Sequence, residues 1–160
     1  MITAAVTKQH YFLNLVPAGK YSIMPPADVV CRLNKHFLTS SGTSWSFTMI
    51  YGILDKETGE FRYVAAGQLA LIHLSPGFPP SIQETGGIPV GLLAGATCEE
   101  HTVTLSKGDR LCLCTDGITE AENEAEQQFG VERLLNALER NRNLKLDDSF
   151  FSVMTASLSI

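Results

Sequence analysis

The sequence predicts an α+β fold in which helices pack on antiparallel sheet, within one domain that spans residues 1–160. Two segments with helical spacing come first, a series of short strand-like segments follows, and another helical segment begins near Gly130. The strand-like segments are separated by turns and not by helices, which disfavours an alternating, parallel arrangement. No linker is long enough to divide the chain.

Apolar side chains at helical spacing predict the two leading helices. Residues 2–16 carry such a stripe, which stops at Pro17. The second helix begins at Pro25 and ends near Ser40. Its apolar stripe includes Asn34, which we therefore expect to be buried.

From Ser46 the apolar pattern changes to a period of two. Residues 47–51 and 61–65 alternate on either side of a turn at 55–59, which predicts an antiparallel hairpin. Further short strands are expected at residues 69–74, 81–84, 101–105 and 110–115. A third helix is expected to start at Gly130.

The composition is that of a folded protein with an acidic balance. Apolar residues make up 44% and charged residues 18%, as in globular domains. A net charge of −5, without any basic stripe, argues against a nucleic-acid partner or an anionic membrane. No apolar stretch approaches the roughly 18 residues of a membrane span, so a cytoplasmic protein is expected.

The cysteines Cys31, Cys98, Cys112 and Cys114 do not form the Cys/His spacing of a zinc site. We expect all four to be thiols that pack as small apolar residues in a protein of a reducing compartment. Cys112 and Cys114 would share one face of a strand, which constrains them too much for easy bridging.

The segment 108–121 carries the clearest indication of chemistry. Asp116 directly follows a strand, and Gly117 after it has no side chain to obstruct an ion or its waters. A hard divalent cation needs oxygen ligands held by rigid backbone in this way. Asp-Gly is also the strongest short hairpin signal, and on spacing alone the hairpin turn is the favoured interpretation.

A series of short motifs runs along the chain in a defined order. They are Leu33-Asn34, Phe47 to Asp55, Tyr63 to Gly67, Ile88 to Gly91, Gly108 to Leu111, Thr115 to Ala121, and Phe129 to Leu134. Each motif is weak by itself. In this order and spacing they resemble the bacterial, SpoIIE-like branch of the metal-dependent (PPM) serine/threonine protein phosphatases.

The resemblance implies an αββα sandwich, in which two antiparallel sheets lie between two layers of helices. It also implies a two-metal Mn²⁺ or Mg²⁺ site at one edge, with Asp116 as the metal-binding aspartate of the Thr-Asp-Gly motif. In that family two ions lower the pKa of a bridging water, which attacks the phosphorus of a phosphoserine. The implied partner is a phosphorylated regulatory protein in signal transduction, such as an anti-sigma-factor antagonist.

The chain departs from the family pattern near its start. The family's leading motif, an aspartate followed by Gly-His-Gly, would precede the first helix, whereas this chain begins at Met1. The fold is therefore expected to be incomplete at the N-terminus. Gln68 stands where the family has a histidine, which keeps hydrogen-bonding capacity but loses a titratable group.

The closing Asp-Asp motif of the family has two interpretations here. Asp147-Asp148 could be that motif, or it could open a further helix through Leu146, Phe150 and Val153. The helix is favoured because its apolar residues recur at helical spacing and acidic residues suit a first turn. The final metal aspartate would then lie beyond Ile160.

Two functions follow from these observations. The first is an enzyme that hydrolyses phosphoserine or phosphothreonine on its partner protein, of which this chain is the larger part of the catalytic domain. The second is a phosphatase-like binding module without competent metal ligation. In either case we expect little activity from this chain alone, and association between chains through unpaired strand edges.

Overall fold

The structure is a computed structural model that describes residues 13–16, 20–40, 45–67 and 69–158. Within these residues there are eight strands and four helices. The strands are β1 (Leu13–Val16), β2 (Lys20–Ile23), β3 (Met49–Leu54), β4 (Glu60–Ala66), β5 (Leu69–Leu74), β6 (Ser81–Ile82), β7 (His101–Thr104) and β8 (Arg110–Thr115). The helices are α1 (Pro26–Ser40), α2 (Asp116–Thr119), α3 (Gly130–Arg140) and α4 (Leu146–Leu158). None of these four helices is both long and apolar enough to cross a bilayer.

The chain divides into two units. The first comprises Met1–Gln68 and Thr85–Thr104, and the second comprises Leu69–Glu84 and Leu105–Ile160. The first unit therefore contains β1 to β4, α1 and β7, while the second contains β5, β6, β8 and helices α2 to α4.

In the first unit, α1 packs on an antiparallel sheet of order β3-β4-β7. The predicted second helix and the predicted hairpin are both confirmed. Phe47, Met49 and Tyr51 are partly buried against the core, as their alternation indicates. The buried residues of that core are Met24, Val29, Val30, Leu33, Val64, Ala66 and Val90.

The turn between β3 and β4 is organised by Asp55. Its Oδ1 accepts hydrogen bonds from the backbone N–H groups of Glu57 at 2.8 Å and Thr58 at 3.2 Å. Gly59, with φ of 75°, donates its N–H to the Asp55 carbonyl at 2.9 Å. This aspartate-initiated turn sets the register in which Leu54 opposes Phe61.

The helix predicted over residues 2–16 is wrong at its C-terminal end. Leu13–Val16 is strand β1, which pairs antiparallel with β2 so that Val16 opposes Lys20. A short apolar run fits both helical and strand periods, and the backbone partners that β2 supplies decide between them. Residues 2–12 lie outside the described residues.

The second unit contains an antiparallel sheet of order β6-β5-β8 and the helices α2, α3 and α4. Its buried core residues are Ile72, Leu74, Cys114, Phe129, Leu134, Leu138 and Val153. Helix α3 begins at Gly130 as predicted. Helix α4 is also confirmed, with Asp147 and Asp148 in its first turn.

The expectation of four free thiols is wrong for one pair. Cys31 of α1 and Cys98 form a disulfide, with their Cα atoms 6.0 Å apart. The two residues are separated by 67 positions, so only the packing of the segment before β7 near α1 brings them together. Cys112 and Cys114 are free, as expected.

Candidate metal centre

Strand β8 positions Asp116 at the start of a helix. The strand is paired with β5 along its length, from Arg110 opposite Leu74 to Thr115 opposite Leu69. Thr115 has extended backbone and is the N-cap of α2, and Asp116 is the first helical residue. The hairpin-turn interpretation of Asp116-Gly117 is therefore wrong, because the chain continues into a short helix.

The carboxylate of Asp116 is available to a ligand. The residue is exposed, and no described residue forms a hydrogen bond or ion pair with its side chain. Its backbone carbonyl accepts hydrogen bonds from the Glu120 N–H at 2.7 Å and from Thr119 Oγ1 at 3.1 Å. These bonds fix the main chain of α2 while leaving both carboxylate oxygens open.

Gly117, the residue after Asp116, lies in an uncrowded part of the structure. A Cβ added at this glycine would meet only Thr115 Oγ1, at 3.6 Å, which is ordinary contact. The space is therefore open without being sterically reserved for glycine.

The described residues do not complete a metal centre. They contain no group of three or more His, Cys, Asp or Glu side chains that could hold an ion. Divalent ions such as Mg²⁺ and Mn²⁺ are bound by several oxygen ligands. The Asp116 carboxylate is suitable as one ligand, but one ligand does not make a metal site. Gln68, at the family's histidine position, lies outside the described residues.

The other acidic candidates have local roles or none. Asp147 and Asp148 are exposed in the first turn of α4, where negative charge is favourable at a helix N-terminus. Between α2 and α3 lies a run of exposed glutamates. Its members are Glu120, Glu122, Glu124 and Glu126. This run lies in the loop between the two helices, with its side chains in solvent, as is usual for a run of like charges.

A buried hydrogen-bonded group in the second unit was missed by the sequence analysis. The Asp109 carboxylate, whose side chain is 3% exposed, accepts hydrogen bonds from the Ser106 N–H and from His73 Nε2, both at 2.8 Å. Burial raises the pKa of the Asp109 carboxyl, but hydrogen bonds from Ser106, His73 and Ser75 outweigh burial and leave the pKa below its ordinary value. The register that pairs β5 with β8 would have revealed this contact. It brings His73 opposite Leu111, and Asp109, two residues before Leu111, is then the diagonal neighbour of His73 on the same face.

The two thiols on β8 lie on one face of the strand, as predicted. Cys112 Sγ and Cys114 Sγ are 3.4 Å apart. The hydrogen bond from Cys114 lowers the pKa of the Cys112 thiol to about 7, while burial acts in the opposite direction. Cys114 is buried in the core of the second unit and Cys112 packs against that core, so this face of β8, the strand that directly precedes Asp116, is turned toward the core.

In the first unit, two of the sequence motifs meet through Asn34. Its side chain is buried, as predicted, and bonds to the loop that contains Gly91 and Leu93. This residue therefore serves to position a loop.

Comparison with known proteins places these features in a family. A family model described as stage II sporulation protein E (SpoIIE) matches residues 7–159. Protein IcfG of Synechocystis sp. is 28% identical over 116 residues, which cover 71% of this chain and 18% of that protein.

Two solved structures are also similar. The SiaA-PP2C domain of Pseudomonas aeruginosa matches with a TM-score of 0.72 and 16% identity, covering 84% of this chain and 54% of that one. The phosphatase domain of SpoIIE from Bacillus subtilis matches with a TM-score of 0.49 and 14% identity, covering 90% of this chain and 77% of that one. The first match confirms the predicted fold, two antiparallel sheets with helices. The chain spans about half of that SiaA chain and under a fifth of IcfG.

Proposed function

The chain belongs to the SpoIIE family, and from this membership we propose that it is part of a metal-dependent protein serine/threonine phosphatase domain. The observation that carries the proposal is the placement of Asp116. It directly follows a sheet strand, its side chain is exposed, and no described residue competes for its carboxylate. A carboxylate held in this way is a suitable ligand for Mn²⁺ or Mg²⁺.

The proposed substrate is phosphoserine or phosphothreonine on a phosphorylated regulatory protein, such as an anti-sigma-factor antagonist. Bound metal ions would supply an activated water and would neutralise charge that develops on the phosphoryl group. The role proposed for this chain's own residues is narrower. Asp116 would hold an ion, and α2, whose backbone is hydrogen-bonded at Asp116, would fix the direction of its carboxylate.

We expect the 160-residue chain to bind these ions weakly and to hydrolyse substrate slowly. Among the described residues only Asp116 is assigned as a ligand, and no described cluster could supply the others. One carboxylate cannot replace the several fixed oxygens that tight sites use. A strongly active chain would therefore require ligands from residues outside those described.

The shortage of metal ligands among the described residues also supports a second function. A phosphatase-like domain with a single metal ligand could bind the phosphorylated partner without hydrolysing it. It would act by occupying the partner. The two functions differ in turnover and not in binding, so a kinetic measurement separates them.

The experiment follows phosphate release from a phosphoserine peptide with millimolar Mn²⁺ present. It compares the chain with its Asp116→Asn variant, and it repeats the comparison in a longer version with an upstream Asp-x-x-Gly-His-Gly motif. In the longer version we expect Asp116→Asn to lower the rate by about 100-fold or more. The matched control is Asp147→Asn, which neutralises an exposed aspartate in α4 and should leave the rate unchanged.

Three results of this phosphate-release experiment would test the account. Turnover by the 160-residue chain that Asp116→Asn abolishes would show that the chain supplies a working site, against our account. Undiminished turnover by the longer Asp116→Asn variant would remove Asp116 from the metal site. Peptide binding without turnover in the longer version would support the binding module.

We also propose that the chain associates with itself. Within the described residues β8 is an edge strand of its sheet, and its Leu113 side chain is 56% exposed. An edge strand with an exposed apolar residue is a template for pairing with another chain. Sedimentation velocity at increasing concentration tests this, and a monomer throughout would defeat it.

A further inference from the structure

A cavity of about 270 Å³ lies in the second unit, at the opposite end of β8 from Asp116. Its lining residues are Leu74, Ser75, Pro76, Gly108, Arg110, Arg142 and Asn143. Arg110 opens β8 and Asp116 follows the last residue of that strand. At about 3.3 Å per strand residue, roughly 20 Å separates the cavity from the candidate metal ligand.

Arg110 brings an uncompensated positive charge to this cavity. Its Nη2 donates a hydrogen bond to the Leu144 carbonyl at 2.7 Å, which fixes the guanidinium group. No carboxylate of the described residues lies within 4.0 Å of it. The residue as a whole is partly buried.

Arg142 lies in the same wall and is held by backbone carbonyls. Its Nη1 donates to the Ser75 carbonyl at 3.4 Å, and its Nη2 donates to the Phe78 carbonyl and to Glu139. The Nε atom is buried and has no hydrogen-bond partner. The Nη bonds to backbone carbonyls hold the guanidinium group of Arg142 in the wall of the cavity.

The charges around the cavity favour an anion. Two guanidinium groups line it, and one of them pairs with the half-exposed Glu139. The other carboxylate nearby, Asp109, is almost fully buried and is bonded to Ser106 and His73. One guanidinium charge therefore has no partner. Asn143 adds an exposed carboxamide that no described residue engages.

We propose that this cavity binds phosphate or the phosphoryl group of a phosphomonoester. Arginine forks match the geometry of phosphate oxygens and give charge-assisted hydrogen bonds. A cavity of this volume admits a phosphoryl group together with a small attached residue, although it is at the small end for ligand pockets. The proposal does not rest on the phosphatase function, since it concerns a separate site and needs no turnover.

The test measures binding of inorganic phosphate to the chain by amide NMR titration at constant ionic strength. Phosphate is expected to shift the signals of residues 74–76, 108–110 and 142–143. A phosphoserine peptide in a second titration distinguishes a protein-borne phosphoryl group from free phosphate. Acetate in a third distinguishes phosphate recognition from general attraction of anions.

Asn143→Asp is the informative variant because it adds a negative charge to the cavity wall without removing any described hydrogen bond. We expect it to weaken phosphate binding by about tenfold. The matched control is Asn136→Asp, an identical change at an exposed site on α3, which should change the affinity by less than about twofold. Arg110→Lys, which keeps the charge but loses the fork, should also weaken binding.

Equal effects of Asn143→Asp and Asn136→Asp would overturn the proposal. Signal shifts confined to other residues, acetate binding as tight as phosphate binding, or no saturable shift at millimolar phosphate would do the same. None of these results depends on phosphatase activity. A failure here is therefore distinguishable from a failure of the proposed function.

Discussion

Gly91 donates its backbone N–H to the buried Oδ1 of Asn34 at 2.7 Å. Asn34 Nδ2 in turn donates to the Leu93 carbonyl at 2.9 Å. One asparagine thus joins α1 to the loop that follows Ile88-Pro89-Val90 in the chain. Two of the motifs that indicated the family are therefore physically linked, and their shared role is to hold a loop.

The first prediction concerns this link. Asn34→Ala should lower the free energy of unfolding by about 2 kcal/mol, because it leaves a loop N–H and a carbonyl without their side-chain partner. The matched control is Asn136→Ala, at an exposed site without a described hydrogen bond, which should change it by less than about 0.5 kcal/mol. Urea unfolding of both variants measures the difference, and equal losses would contradict the role given to Asn34.

The second prediction compares two glycines of the same loop. Gly91 has φ of +83°, and an added Cβ would lie 2.2 Å from the Trp45 carbonyl oxygen. Gly95 has φ of +73°, with open space at the same position. Both alanine variants incur the left-handed backbone cost of about 1–2 kcal/mol. Gly91→Ala should lower the free energy of unfolding, measured with urea, by about 1–3 kcal/mol more than Gly95→Ala does, because it adds a steric clash.

One result would contradict a steric contribution at Gly91. If Gly95→Ala destabilises the protein as much as Gly91→Ala, backbone conformation alone would account for both losses. The close approach of the Trp45 carbonyl would then have no measurable energetic effect.

Much of the fold could be predicted because its periodic segments are long enough to be unambiguous. The stripe that includes Asn34 predicted both α1 and the burial of that residue. The segment Leu13–Val16 was assigned to a helix because four residues fit either period, and its pairing with β2 is not visible in the pattern. Strand β2 was missed for the same reason.

In the candidate site, the position of one residue in the fold could be predicted. Asp116 directly follows a strand, as expected, although the chain then forms α2 and not the hairpin that Asp-Gly favours locally. The contact of His73 with Asp109 depends on strand register, which no local pattern reveals. The disulfide between Cys31 and Cys98 depends on packing across 67 positions, and the cysteine spacing gives no sign of it.

A third prediction follows from the lowered pKa of Asp109. A carboxyl group whose folded pKa lies below its unfolded value stabilises the fold above that unfolded value, and the stabilisation is lost as pH falls through the folded pKa. At neutral pH, Asp109→Asn should cost about 1–3 kcal/mol of unfolding free energy. The gap between wild type and variant should narrow as pH falls from about 4 toward 2. A gap that stays constant over this range would contradict the stated cause.

The fourth prediction concerns the disulfide. Protein purified in air and denatured without reductant should show two reactive thiols, from Cys112 and Cys114. Reduction should lower the free energy of unfolding by about 4 kcal/mol, because a long loop between Cys31 and Cys98 is released in the unfolded chain. Four reactive thiols before reduction would contradict the bond.

The central claim is that Asp116 is a metal ligand, and Mn²⁺-induced broadening of backbone amide NMR signals tests it most directly. The chain is compared with Asp116→Asn and with Asp147→Asn, which removes the same charge from the first turn of α4. We predict weak binding, with a dissociation constant of about 1 mM or higher, and broadening around residues 115–119. That broadening should disappear in Asp116→Asn and persist in Asp147→Asn. Broadening that persists in Asp116→Asn, or that disappears in Asp147→Asn, would contradict the account.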